Sequence, residues 1–226
     1  MSRRLLAVPA ALGAVALVAA GCGGQQGGGG GAPPQPQQPA QQPQQQGPQP
    51  VAEVDDVNGE STAVTLDEEF VAGLEMLELT PGAVGEATIE EGVATFPITG
   101  GNVTYFEPGS TSPFVRGKLR HEGSGLSLTS GDTEVELKDF VVNPANSMLT
   151  GTVTANGEVA ASDAPLFFLD GSTLEPLKTK GKQAILKGTT VTMTKEAAKL
   201  LNKTFETKAL KKGFPVGEAK ITIDTQ

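Results

Sequence analysis

Three residues that could do chemistry occur once each in this 226-residue chain: Cys22, Tyr105 and His121. A single histidine cannot build the usual zinc set, which needs several His, Cys or carboxylate ligands at fixed spacings. His121 could serve a Ser-His-Asp arrangement with Ser124, but Gly123-Ser124-Gly125 lacks the Gly-x-Ser-x-Gly turn that exposes such a nucleophile. Carboxylates are abundant. Yet Asp55-Asp56, Glu68-Glu69 and Glu90-Glu91 are adjacent pairs, and sequence neighbours do not share a helical or strand face. Asp56, Asn58 and Gly59 suggest a calcium loop, but Val54 takes the first ligand place and the closing Glu is missing. The expectation is a protein that is not an enzyme and carries no metal of its own. His121 shares strand parity with Val115 and Leu119, an apolar face. Tyr105 reads as a packed ring with its hydroxyl at a rim.

Cys22 has the most informative neighbours. Met1-Ser2-Arg3-Arg4 is a positive start, Leu5 to Ala20 is an apolar run, and Ala19-Ala20-Gly21 places small residues before the cysteine. The run is shorter than the 20 or so residues a membrane span needs, and it contains Pro9 and Gly13. This segment resembles the lipobox of bacterial lipoproteins, departing from it at Ala19, where Leu is commoner. The resemblance implies a signal peptide over 1–21, cleavage before Cys22, and a thioether-linked lipid there with at least two acyl chains of the palmitate type. Two chains hold a protein stably where one does so marginally. The expected location is extracytoplasmic, anchored to the cell membrane. The paired arginines are too loose a match to choose between export routes.

From Gly23 to Pro50 only Gly, Gln, Pro and Ala occur, so nothing there can form a core. Residues 22–60 are expected to hold a low-complexity tether, whose Gly23 to Pro50 stretch reaches on the order of 30 Å as a coil and roughly 85 Å as polyproline II. Its five-glycine run has no flanking strand or helix and so is no nucleotide loop. Residues 61–226 are enough for one domain with a real core. Two of the 17 basic residues leave with the signal, against 26 acidic ones. So acidic a protein is a poor partner for nucleic acid. With Cys22 lipidated, no thiol remains for a disulfide.

The local pattern in that domain is mostly strand. Val93 to Ile98, Val103 to Phe106, Phe114 to His121, Leu126 with Leu128, Val135 with Leu137, and Leu149 with Val153 alternate or form short apolar runs. Pro165 to Leu169 is a continuous apolar run, and Gly, Asn, Pro and Asp punctuate all of these. The predicted fold is mainly β, a two-sheet antiparallel sandwich or an open barrel, with two short α-helices. Those helices follow Asp67 and Thr194, both good caps, and place Phe70, Leu74 and Leu77, or Ala197, Leu201 and Phe205, on one face. Each is preceded by Val-Thr and followed by a near-identical string, Val84-Gly85-Glu86-Ala87-Thr88-Ile89 and Val216-Gly217-Glu218-Ala219-Lys220-Ile221. This reads as one strand–helix–strand unit used twice. The two copies differ in charge. Residues 53–91 hold twelve acids and no base, whereas residues 178–220 hold eleven lysines and three acids. Mutual attraction of the two units is one reading; a basic face for an anionic partner such as a cell-wall polymer is the other.

The stretch from Arg116 to Leu126, rich in Gly around His121, resembles the hairpin of the haem-uptake domains called HtaA. Asn143-Pro144 fills the place of their following turn, and Val191 to Gly217 is similar to their closing strand, Ala-rich helix and aromatic-Gly loop. The likeness runs from about Val64 to Ile223. It implies a two-sheet β fold with two small helices and a haem held by a tyrosine near the domain start, with a histidine hydrogen-bonded to it. His121 matches that histidine. The segment matching the tyrosine, Asp67 to Leu74, has Phe70 and no Tyr, so the resemblance leaves Tyr105 with His121 as the candidate haem contacts. Two functions stay open: a ligand-binding surface lipoprotein related to haem-uptake modules, and a structural or adhesive surface module without a small-molecule ligand.

Overall fold

The computed structural model describes residues 47–225. The signal segment, Cys22 and most of the tether lie outside the described residues.

The strands are β1 (Ala52–Val54), β2 (Ser61–Leu66), β3 (Thr80–Gly85), β4 (Thr88–Glu90), β5 (Val93–Pro97), β6 (Gly100–Tyr105), β7 (Val115–Ser130), β8 (Thr133–Asn143), β9 (Met148–Ala155), β10 (Glu158–Asp170), β11 (Lys178–Lys180), β12 (Gln183–Met193) and β13 (Pro215–Asp224). Two helices interrupt them, α1 (Glu68–Met76) and α2 (Lys195–Thr204). Every pairing is antiparallel. The main path runs β1-β6-β7-β8-β9-β10-β12-β13-β2-β5-β4, with β3 on β7 and β11 on β12. This is one continuous sheet that curls into an open barrel, not the two separate sheets of a sandwich.

The seam of that barrel lies between β7 and the β2–β5 pair. Two crossings of the chain bridge it. After β3 pairs with β7, residues 86–87 carry the chain to β4 on the opposite side. After β5, Ile98 donates its N–H to Glu60 O at 2.9 Å, and Thr99 donates to Arg120 O at 2.8 Å. The Thr99 hydroxyl also accepts the Glu122 N–H at 3.0 Å. One dipeptide is thus bonded to both sides of the seam.

Aromatic rings fill the space behind it. Phe96 meets Phe140 edge-on with centroids 5.3 Å apart, and Phe140 meets Phe167 at 6.4 Å. Each such pair adds about 0.5–1.5 kcal/mol beyond its area burial. The helices close one end. Asp67 caps α1 by accepting the Glu69 N–H at 2.8 Å, and Thr194 caps α2 by accepting the Ala197 N–H at 3.1 Å. Their apolar faces bury Phe70 and Leu74, and Ala197 and Leu201. The Phe214 ring lies directly over Gly73, where a side chain would collide with it.

Three sequence expectations change. The folded segment begins ahead of residue 61, because β1 pairs with β6 and Val57 is fully buried. Gly123-Ser124-Gly125 is no hairpin turn but a bulge inside the single strand β7, which runs sixteen residues. Gly123 adopts φ +71, and its N–H is bonded to the Asp139 carboxylate at 2.9 Å, so the extra residues are absorbed without breaking the strand. The two matching strings occupy different settings. Val216 to Ile221 lies wholly within β13, whereas Val84 to Ile89 spans the end of β3, a turn and the start of β4. The helix starts are alike; the strands that follow them are not.

Phe140→Ala should cost about 3–5 kcal/mol, because it empties the centre of the ring cluster. Phe168→Ala, at a ring 43 % exposed on the same sheet, should cost under about 1 kcal/mol. Urea unfolding followed by circular dichroism checks both.

Candidate functional site

His121 is 1 % exposed and sits on β7 at the seam. Its Nδ1 lies 3.4 Å from Phe140 O on the neighbouring strand, and its Nε2 lies 2.9 Å from the Thr62 hydroxyl on β2, across the seam. A carbonyl can only accept, so Nδ1 carries the proton and Nε2 accepts the hydrogen bond from Thr62. Phe96 stands edge-on to the ring with centroids 6.5 Å apart. Burial lowers the imidazole pKa to about 4, and the bond to Phe140 opposes this only in part. The ring is neutral at pH 7, and both nitrogens are engaged within the fold. Ser124 is also buried, and its hydroxyl donates back to His121 O at 3.2 Å. It braces the bulge and does not face the imidazole nitrogens.

Tyr105 ends β6 opposite Val115. Its ring is buried, edge-on to Phe114 with centroids 6.1 Å apart. Its hydroxyl has no hydrogen-bonding partner among the described residues. Val115 and His121 share a strand face but stand six residues apart, which places Tyr105 about 20 Å from His121 along the strand direction. The structure does not bring these two residues together. Their sequence separation is modest, but an antiparallel register reads outward from the β6–β7 turn, and the two lie at different depths along it.

The interior of the barrel is filled. The void beside His121, lined by Thr62, Phe96, Phe140, Val191 and Ala219, measures about 50 Å³ and is apolar. The one beside Tyr105 measures about 30 Å³. Either is the size of a small packing defect, not of a ligand chamber.

A larger cleft of about 300 Å³ opens at the end opposite the helices. Its floor is apolar, with Val115, Val142, Leu169, Leu186 and Ile221. Its rim is polar and comes from three loops, with Ser112, Ser147, Asp170 and Ser172. Arg116 shapes the first loop. Its Nε donates to Pro113 O at 3.2 Å, another guanidinium nitrogen donates to the Thr111 hydroxyl at 2.7 Å, and the group stacks over Phe106 at 4.7 Å. Asp170 shapes the third loop by accepting the Ser172 N–H at 2.9 Å, which lowers its pKa. Thr173 donates to Gly188 O at 2.5 Å and pins the same loop to β12. Sequence reading gave neither Arg116 nor Asp170 a role in a loop. Their partners all lie within five residues, apart from the stacked ring, so a search for local loop ties would have found them.

The segment Asp67 to Leu74 is the start of α1. Phe70 there packs against Phe214 with centroids 6.2 Å apart. No phenol stands at this place, so the residues do not supply the iron ligand that the HtaA resemblance implies. Among the described residues, no cluster of three or more His, Cys, Asp or Glu could hold a metal ion, and no helix is long and apolar enough to cross a membrane.

No protein-family model matches the chain, and no curated protein matches it. Among solved structures, the C-terminal domain of HtaA from Corynebacterium glutamicum is similar with a TM-score of 0.51 at 11% identity, over 75% of this chain and 98% of that one. A likeness at that identity is one of fold.

The pH dependence of stability follows from His121. Its folded pKa lies below the value of about 6.5 for a free imidazole, so the unfolded chain takes up the proton first. Its contribution is complete above about pH 6.5 and is lost as pH falls toward 4, for a total on the order of 3 kcal/mol. His121→Gln should flatten the difference in urea midpoint between pH 7.5 and 4.5 relative to the parent chain. An unchanged difference would show that other groups carry it. Thr62→Val leaves Nε2 without its donor and should cost about 1–3 kcal/mol at pH 7.5.

Proposed function

We propose that this protein is a non-catalytic lipoprotein, displayed outside the cytoplasm through lipid on Cys22, whose β domain binds a small, largely apolar ligand in the cleft between its three end loops. The cleft carries this reading. It joins an apolar floor to a few polar rim groups, with the Asp170–Ser172 bond fixing one of its loops and the Arg116–Thr111 bond tying another, as small-molecule sites do. The similarity in fold to an HtaA domain supports a module of the haem-uptake kind. The absence of a catalytic role is supported by the use made of His121, whose two nitrogens are spent on the seam.

Haem is the first ligand to try, because of that fold. It would not be held as the resemblance implies, since α1 offers no tyrosine and His121 no free nitrogen. Tyr105 is the one phenol of the chain, and its neighbours Val115, Leu186 and Ile221 also line the cleft. A structural or adhesive module without a small-molecule ligand is the competing reading. The small size of the interior voids favours it.

Two measurements separate the readings. Haem titrated into the purified chain should give a saturable Soret shift that Tyr105→Phe weakens by an order of magnitude. A polarity-sensitive apolar dye should be enhanced by the parent chain and lose most of that enhancement on Leu186→Asp, provided circular dichroism shows the variant folded. A dye signal without a Soret shift keeps the cleft and removes haem; neither signal leaves the structural module. Cys22→Ser should abolish incorporation of labelled fatty acid in cells, and labelling at the parent level would refute the anchor.

A further inference from the structure

The helix α2 and the loop after it carry six lysines against two glutamates between residues 195 and 212. None of the six is in an ion pair with a described residue. The ion pairs Lys138–Glu136, Lys178–Glu175 and Lys187–Glu218 lie elsewhere, and none of the three joins residues 53–91 to residues 178–220. Among the described residues, no close ion pair therefore ties these six lysines to the acidic segment.

Their placement is ordered. Lys195, Lys199 and Lys203 follow one another at four-residue steps and are all exposed. On a helix this makes one stripe, with successive side chains about 6 Å apart over roughly 12 Å of axis. On one flank stands Asn202, a residue that ties the next loop down. Its side-chain amide donates to Leu210 O at 2.8 Å and its carbonyl accepts the Leu210 N–H at 3.2 Å. That two-way clamp, with Leu210 buried beneath it, holds Lys208, Lys211 and Lys212 beside the stripe. On the other flank a groove of about 480 Å³ runs between α2 and the β9–β10 hairpin. It is lined by Lys199, Leu200, Lys203 and Thr204 from the helix and by Ala155 and Ala160 from the hairpin. Glu196 is the one acid in that lining.

We infer that this face binds a linear, phosphate-bearing polyanion along the α2 groove. A single small anion would need one convergent pocket, and here the charges form a row instead. A row of evenly spaced cations matches a chain of repeating anions. The small Ala155 and Ala160 on the opposite wall leave room for a strand of polymer without adding charge. The rest of the protein is acidic, so this island confines the polymer to one face and repels it elsewhere. An anionic membrane is a poorer fit, because the lysine stripe carries no large exposed apolar residue and the tip of the facing hairpin adds only Val159. The inference does not depend on the cleft at the other end of the barrel.

The probe is inorganic polyphosphate of medium chain length, titrated into the full chain at 50 mM salt. Binding should be saturable and should weaken at least tenfold by 300 mM salt, as contacts with a polyanion do. The triple variant Lys195→Gln, Lys199→Gln, Lys203→Gln should lose at least tenfold in affinity. A matched triple on the β11–β12 hairpin, Lys178→Gln, Lys180→Gln, Lys182→Gln, should stay within twofold of the parent chain. Asn202→Ala should weaken binding severalfold with every lysine present, because it releases the second row. Equal losses from the two triples would overturn the assignment, as would no binding at 50 mM salt. So would binding only to vesicles with anionic headgroups, or self-association of the chain through its acidic segment in place of polymer binding. Haem or dye binding in the cleft is unaffected by any of these outcomes, so the two readings fail separately.

Discussion

One hydrogen bond spans the place where this barrel is not held by strand pairing. A sheet that curls without closing leaves two edges facing each other, and backbone groups there have no ladder to satisfy them. Here the middle of β7, between the stretches paired with β6 and β3, faces β5 and, beyond it, β2. His121 reaches across to the Thr62 hydroxyl, while its other nitrogen holds the neighbouring strand at Phe140. The ring is polar at both ends and apolar on its faces, so it can be buried against Phe96 and still spend every hydrogen-bonding group. The backbone on either side is dealt with by Ile98 and Thr99, each bonded to a different lip of the seam. The ring packing lies behind this contact, and the chain crossings at residues 86–87 and 98–99 bridge the same seam.

The same contact decides what the histidine is free to do. A side chain that can titrate near neutrality is the usual choice for acid–base work or metal binding. Burial removes the charged form here, and the two neighbours fix the tautomer. The likeness to an HtaA domain is one of fold, and in this chain the two nitrogens of His121 are taken up by Thr62 and Phe140. The polar groups around the larger cleft come from the ends of strands and the loops between them. Ser112, Ser147 and Asp170 stand on its rim.

What could be read from the sequence was what depends on near neighbours. The caps Asp67 and Thr194 were legible because each bonds to an N–H two or three residues on. The inward side of β7 was legible from the alternation of Val115, Leu119 and His121, since period two needs no knowledge of the partner strand. The continuity of β7 was not. Gly123-Ser124-Gly125 has the composition of a turn, and the carboxylate that turns it into a bulge lies sixteen residues away at Asp139. Thr62 as the partner of His121 was not legible either, at a separation of 59 residues with no local signal in either segment. The placing of Tyr105 failed for a related reason. Strand periodicity tells which face a residue takes, but not how deep along the barrel it lies. The near-repeat around Val84 and Val216 misled because both strings suit a strand, and pairing partners decided that only one of them forms a continuous one.

The first strand of the domain sets how it responds to force. The chain enters at Val51, whose N–H is bonded to Tyr105 O, and β1 adds only three paired residues before the backbone leaves the sheet edge. Tension arriving from the preceding segment meets this short pairing before any other element. β1 can peel from β6 while Val57, fully buried and bonded through its N–H to Gly101 O, still holds the chain to the barrel. A pull on the chain ahead of residue 51 would load these three paired residues first, and the seam and helices only after them.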